Sequence, residues 1–147
     1  MEKIRAVLDT NVLVGKNRRP LLAAAGLGIF ELILSPFILK EVGEVLTEDF
    51  KVPEIFAAKF ISELEAVAII VDDKDVSGGN YDEWLSDHDD HPVMATALVG
   101  DAEFLVTEDK DFPPKKKFAG TTVITVEAFA SRMKIGLEKY ELPELDS

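Results

Sequence analysis

Five short apolar runs, at 4–8, 32–35, 67–71, 103–107 and 122–126, punctuate this chain, and stretches with helical spacing separate them. The runs are rich in Val and Ile and bounded by polar residues, the pattern of strands buried on both faces. The helical stretches cover 20–30, 36–48, 54–66, 91–100 and 127–137. The second opens with Ser35-Pro36, a hydroxyl cap followed by proline at the first helical position. The third carries Phe56, Phe60, Leu64 and Val67 at helical spacing, and the fourth is nearly all apolar, as a central helix would be. Strands alternating with helices predict an α/β fold, a parallel sheet covered on both faces. A chain of 147 residues fits one domain, expected over 1–137, with an acidic tail at 138–147. The single long loop is 72–90; Gly78-Gly79-Asn80 breaks it, and a short helix is expected from Tyr81 to Leu85.

The formal charge is −12. A general nucleic-acid coat is thereby disfavoured, because such affinity comes from Lys and Arg neutralising phosphates. A nuclease is not disfavoured, since a metal pocket needs local negative charge and a smaller basic patch can hold the backbone. Much of the acidity sits in 72–90 and 138–147, while cations gather at Lys16, Arg18 and Arg19 and at Lys115, Lys116 and Lys117. The chain has no cysteine, which excludes disulfides, thiolate metal sites and thiol nucleophiles and suits a reducing cytoplasm. No apolar run reaches the about 18 residues of a membrane span. Asp9 interrupts the short apolar run near the N-terminus, so no signal-peptide pattern forms. A cytoplasmic protein without a membrane segment is expected.

Carboxylates stand at or near the ends of the core elements: Asp9 after the first run, Glu41 in SPFILKEVGEVL, Asp90 before HPVMATAL, and Asp109 with Asp111 after FLVT. In parallel α/β folds ligands bind beyond the carboxyl ends of the strands. Asp9 is placed there, although an Asp at a strand end also serves as a turn former or helix cap. Thr10 and Asn11 can satisfy loop backbone groups or position a ligand. Ile38, Val42 and Val45 define a buried stripe, and Glu41 falls about 60° from Ile38, at the edge of that stripe. It either reaches water or reaches a partner. Asp90 suits the N-cap of the 91–100 helix, a role compatible with holding a metal through its second oxygen. Asp109 and Asp111 form either a polar turn before Pro113-Pro114 or two further ligands. The Lys115–Lys117 triplet is either a solvated run or a phosphate contact. His88 and His91, without cysteine or an HExxH helix, make a poor zinc set.

Taken together and in this order, VLDTNVLV, SPFILKEVGEVL, DHPVMATAL and FLVTEDKDF resemble the PIN domains, metal-dependent ribonucleases common as toxins in bacterial and archaeal toxin–antitoxin pairs. The resemblance spans 4–112 and takes 122–126 as the last strand. It implies a three-layer α/β/α sandwich around a central parallel five-stranded sheet of order 3-2-1-4-5. It places the family's acidic quartet on Asp9, Glu41, Asp90 and Asp109, with Asp111 as a fifth member and Asn11 and Thr107 as supporting polar positions. The site so implied holds one or two Mg²⁺ or Mn²⁺ ions, with Asp9, Asp90 and Asp109 as main ligands and Glu41 holding a water or a second ion. The implied reaction is in-line hydrolysis of single-stranded or looped RNA, leaving 5′-phosphate and 3′-hydroxyl ends. An antitoxin and a homodimer are the implied protein partners. Two features depart from the pattern: the acidic 72–90 loop, which could redirect substrate entry, and the strongly negative overall charge.

Rival classes make different demands. A phosphoacceptor receiver domain could use Asp72 or Asp73 as acceptor. It also needs an acidic pair after the first strand and a lysine after the last, where this chain has a lone Asp9 and Val126-Glu127. A haloacid-dehalogenase-type phosphatase needs an Asp two residues after its nucleophile, and Asn11 stands there. A PIN-like binding module that is inactive, or active only with a partner, remains open, with all four acidic positions filled. An antitoxin would have to cover the acidic pocket, and an Arg entering it is a suitable device.

Overall fold

The computed structural model describes residues 3–72, 91–110, 112, 117–118 and 120–137. β1 (Arg5–Leu8) runs through the middle of the sheet, with Ala6, Val7 and Leu8 fully buried. It pairs in parallel with β2 (Glu31–Leu34) on one side and with β4 (Phe104–Val106) on the other. β3 (Ala68–Ile70) extends the sheet beyond β2, and β6 (Thr121–Ile124) extends it beyond β4, again in parallel. These are the five parallel strands expected from the apolar runs, in the order 3-2-1-4-5. A sixth strand, β5 (Lys117–Phe118), pairs antiparallel with the outer edge of β6. At two residues it is too short to show a period, so the lysine-rich stretch gave no sign of it. The apolar character of the strands follows their position. Leu32, Ile33, Leu34, Leu105 and Val106 are sealed from water, whereas Ile69 and Ile70 on the β3 edge stay partly exposed.

Helices fill the connections and cover both faces. α1 (Thr10–Leu13) and α2 (Arg18–Gly26) take the place of the single helix expected at 20–30. The difference begins at Asp9, whose extended backbone and side chain cap a helical turn directly off β1. Gly28 adopts φ +79° after α2, a left-handed turn that glycine makes without steric cost, and the chain then delivers buried Phe30 and β2. α3 (Pro36–Glu44) opens on Ser35, as its cap pattern predicts, and buries Ile38, Leu39 and Val42. It continues as a π-helical turn over Val45–Asp49. α4 (Glu54–Val67) leads into β3. α5 (His91–Val99) is the central helix: it packs against β1, β2 and β4 and buries Val93, Met94, Ala95 and Ala97. α6 (Val126–Met133) starts at the Thr125 cap and stops at left-handed Lys134, short of the expected 137. Its Phe129 stands edge-on to Phe30 and Phe104, with centroids 5.0 and 5.9 Å away. Among the described residues no helix is long and apolar enough to cross a membrane.

Gly100, just past α5, lies close against the sheet. A Cβ there would lie 2.4 Å from Ile33 Cγ2 and 3.1 Å from the Thr96 carbonyl oxygen. Ile33 is fully buried and β-branched, so its methyl has nowhere to swing. Gly100→Ala is therefore expected to destabilise the fold by about 1–3 kcal/mol, the usual cost of overpacking. Urea unfolding should show a lower midpoint at unchanged slope; an unmoved midpoint would mean that β2 and α5 separate more freely than their packing implies.

Candidate functional site

The register of β1 on β4 pairs Leu8 with Val106, so Asp9 and Thr107 emerge side by side at the carboxyl end of the sheet. The ladder runs one bond further, with the Asp9 N–H donating to the Val106 carbonyl at 3.0 Å. From β1 the chain proceeds to one side through β2 and β3, and β4 and β6 lie on the other. This is the topological switch point, where open α/β sheets leave a crevice for ligands.

Asp9 is held from three directions. Its Oδ1 accepts the Thr10 N–H at 2.8 Å. Its Oδ2 accepts the Thr107 hydroxyl at 2.9 Å and Asn11 Nδ2 at 3.3 Å. Thr107 Oγ1 in turn accepts the Asp109 N–H at 3.0 Å and Asn11 Nδ2 at 3.3 Å. Asn11 Oδ1 accepts the Glu108 N–H at 3.1 Å. The loop after β1 and the loop after β4 are thus laced together by side chains. The Thr10 hydroxyl donates to Glu41 Oε1, which brings α3 into the same frame. Glu41 is half-buried at the border of the α3 apolar stripe, as its angular position predicts, and Glu44 faces solvent.

Burial sets the electrostatics. Asp9 is only 5% exposed. Its pKa is raised from 3.8 to about 6, first by desolvation, with Glu41 and Asp109 adding repulsion; the hydrogen bonds from Thr107 and Thr10 oppose the rise. A buried carboxylate facing two others is costly unless positive charge arrives. The donors gathered here are all oxygens, which suits hard cations such as Mg²⁺ and Mn²⁺. Among the described residues no three acidic or imidazole side chains close a metal site by themselves.

Asp9, Glu41 and Asp109 line one pocket of about 460 Å³, with Thr10 and Asn11. Thr107 lies behind it, bonded to Asp9. Asp90, Asp111, Lys115, Lys116 and His88 lie outside the described residues, as does the short helix expected at Tyr81 to Leu85. Lys117 is described in its backbone alone, as the start of β5 on the outer sheet edge. Two residues join the site region that no sequence pattern singles out. Glu108 Oε1 accepts the Val126 N–H at 3.1 Å and so ties the loop to the start of α6. Phe50 lines the pocket wall. Glu108 could have been suspected from its place between Thr107 and Asp109; Phe50 could not.

A parallel sheet with carboxylates collected at its switch point defines an α/β protein with an acidic cavity there. The profile of the PIN domain matches residues 5–111, and the chain belongs to that family. Among solved structures, a chain of VapBC2 from Rickettsia felis, crystallised bound to a DNA fragment from their promoter, shares the fold. The TM-score is 0.58 at 15% sequence identity, covering 83% of this chain and 98% of that one. A search of curated proteins finds no significant match.

The Asp9 pKa has a direct consequence for the metal-free protein. Because the folded value lies above the unfolded one, its stabilising contribution is fully present below about 3.8 and is lost as pH rises through about 6. The loss amounts to about 3 kcal/mol at about 1.4 kcal/mol per pKa unit. In EDTA, the denaturant midpoint of the wild type should fall more steeply across this window than that of Asp9→Asn. Parallel profiles would show that Asp9 ionises as easily folded as unfolded.

Proposed function

We propose that this protein is an Mg²⁺- or Mn²⁺-dependent endoribonuclease, the toxin member of a toxin–antitoxin pair. The observation that carries the reading is the buried Asp9 carboxylate, flanked by Glu41 and Asp109 at the switch point of a PIN fold. Asp9 and Asp109, together with Asp90 and with Asp111 as a fifth member, hold the metal. A bound ion supplies a Lewis acid for the scissile phosphate and makes an attacking water more acidic. The chain's own contribution is positional. Thr107 and the Thr10 N–H fix the two Asp9 oxygens, so that the carboxylate meets its ligand in one orientation. Asn11 holds the β4 loop and with it Asp109. Glu41, tethered through Oε1 by Thr10, orients an incoming water through its other oxygen. Lys115, Lys116 and Lys117 contact the flanking phosphates.

The substrate is single-stranded or looped RNA, cut to 5′-phosphate and 3′-hydroxyl ends in the cytoplasm. The domain is 1–137, followed by an acidic tail, and it works as a homodimer. An antitoxin inhibits it by covering the pocket, with an Arg pairing to the carboxylates. Likeness to a chain of VapBC2, solved on a fragment of promoter DNA, supports such a partner.

Purified protein should cut single-stranded RNA with Mg²⁺ or Mn²⁺, stop in excess EDTA, and lose activity as Asp9→Asn. Persistent cutting under either condition removes the mechanism. Thr107→Val leaves every carboxylate in place but frees Asp9 to turn, so it should weaken metal binding about 10–100-fold. Calorimetric titration of the metal reads this without catalysis, and an unchanged Kd would strip Thr107 of its positioning role.

A further inference from the structure

The same pocket has an apolar part: Val14, Val45, Phe50 and Val93. Phe50 is the conspicuous member, since a large aromatic side chain is 55% exposed there. Exposing a phenyl ring forfeits burial energy, and its backbone setting adds further cost. The Phe50 N–H donates to the Val45 carbonyl at 3.1 Å, the bond that closes the π-helical turn. This wide turn shifts Phe50 by one residue, about 100°, from where a continued α-helix would aim it. The next residue, Lys51, sits at φ +57°, an uncommon conformation outside glycine, and the Val52 N–H is pinned to the Leu46 carbonyl at 2.9 Å. Turns of this kind collect at functional sites. Here the turn presents a ring to the same cavity that holds Asp9, Glu41 and Asp109.

We propose that Phe50 is a stacking platform for a nucleobase of the single-stranded substrate. The proposal rests on the nuclease reading above and assigns the part of the pocket that reading does not use. A nucleotide has the same division as the cavity: an anionic phosphate, which metal-bearing carboxylates take, and a flat apolar base, which an aromatic ring takes. The volume of about 460 Å³ lies in the range of small-ligand clefts. Among the described lining residues there is no Lys or Arg, and the Phe50 ring offers the cavity a contact of a different kind. Stacking on it tolerates any base, since every base has a π-face.

The test compares Phe50→Ala, Phe50→Leu and Phe50→Trp on single-stranded RNA. Phe50→Ala should lower kcat/KM about 5- to 150-fold, the 1–3 kcal/mol of one base–aromatic stack at about 1.4 kcal/mol per tenfold. Phe50→Trp should restore the rate and Phe50→Leu should not. An unchanged rate in Phe50→Ala, or full rescue by Leu, overturns the stacking role and leaves the nuclease reading intact; rescue by Leu would mark a merely apolar contact, such as a partner protein makes. A second measurement needs no catalysis. Phe50→Trp combined with Trp84→Phe carries a single indole, since the chain has one Trp. Adenosine 5′-monophosphate should quench its fluorescence in the presence of Mg²⁺, and ribose 5-phosphate should not. Equal responses, or none, overturn the proposal. If the wild type cuts no RNA, the nuclease reading fails, and the quenching alone decides whether Phe50 takes a base.

Discussion

The hydrogen bond from the Thr107 hydroxyl to Asp9 joins two strand ends, and the arrangement of the site depends on it. Parallel pairing of β1 with β4 brings the two residues abreast, but pairing alone would leave the carboxylate free to rotate toward solvent. Thr107 prevents that by donating to one oxygen, while the first helical N–H after β1 holds the other. The buried carboxylate is then an acceptor with fixed direction and a poor dielectric around it. Its raised pKa is the mark of this confinement, since desolvation outweighs the hydrogen bonds from Thr107 and Thr10, which favour the charged form.

The strands declare themselves because they are buried on both sides. Val, Ile, Leu and Phe predominate in such positions, so β1, β2, β4 and β6 read as apolar runs with boundaries accurate to a residue or two. The α3 cap was equally plain, because Ser35-Pro36 can do little else. Asp9, Glu41 and Asp109 were visible as carboxylates where apolar patterns end, and the structure brings these three to one cavity.

Illegible features were those decided by tertiary contact or by very short range. The turn α1 depends on Asp9 acting as cap, and four residues are too few for a helical period. The π-helical turn has no sequence signature, since Val45–Asp49 would read as a continuation of α3; only its hydrogen bonds reveal the change of pitch. Phe50 carries no mark of its own in the sequence. β5 escapes notice for want of length. The Thr10 to Glu41 contact is a matter of packing angle between α1 and α3, which no local pattern encodes.

Glu108 has a less obvious consequence. Its backbone N–H is held by Asn11 and its carboxylate by the first turn of α6, so one residue straps the loop bearing Asp109 to that helix. α6 is thereby more than a lid on the hydrophobic interior. It acts as a mechanical anchor for the loop bearing Asp109, and a load applied near the end of the chain, by a neighbouring subunit or a fused domain, would be transmitted to the crevice through that strap.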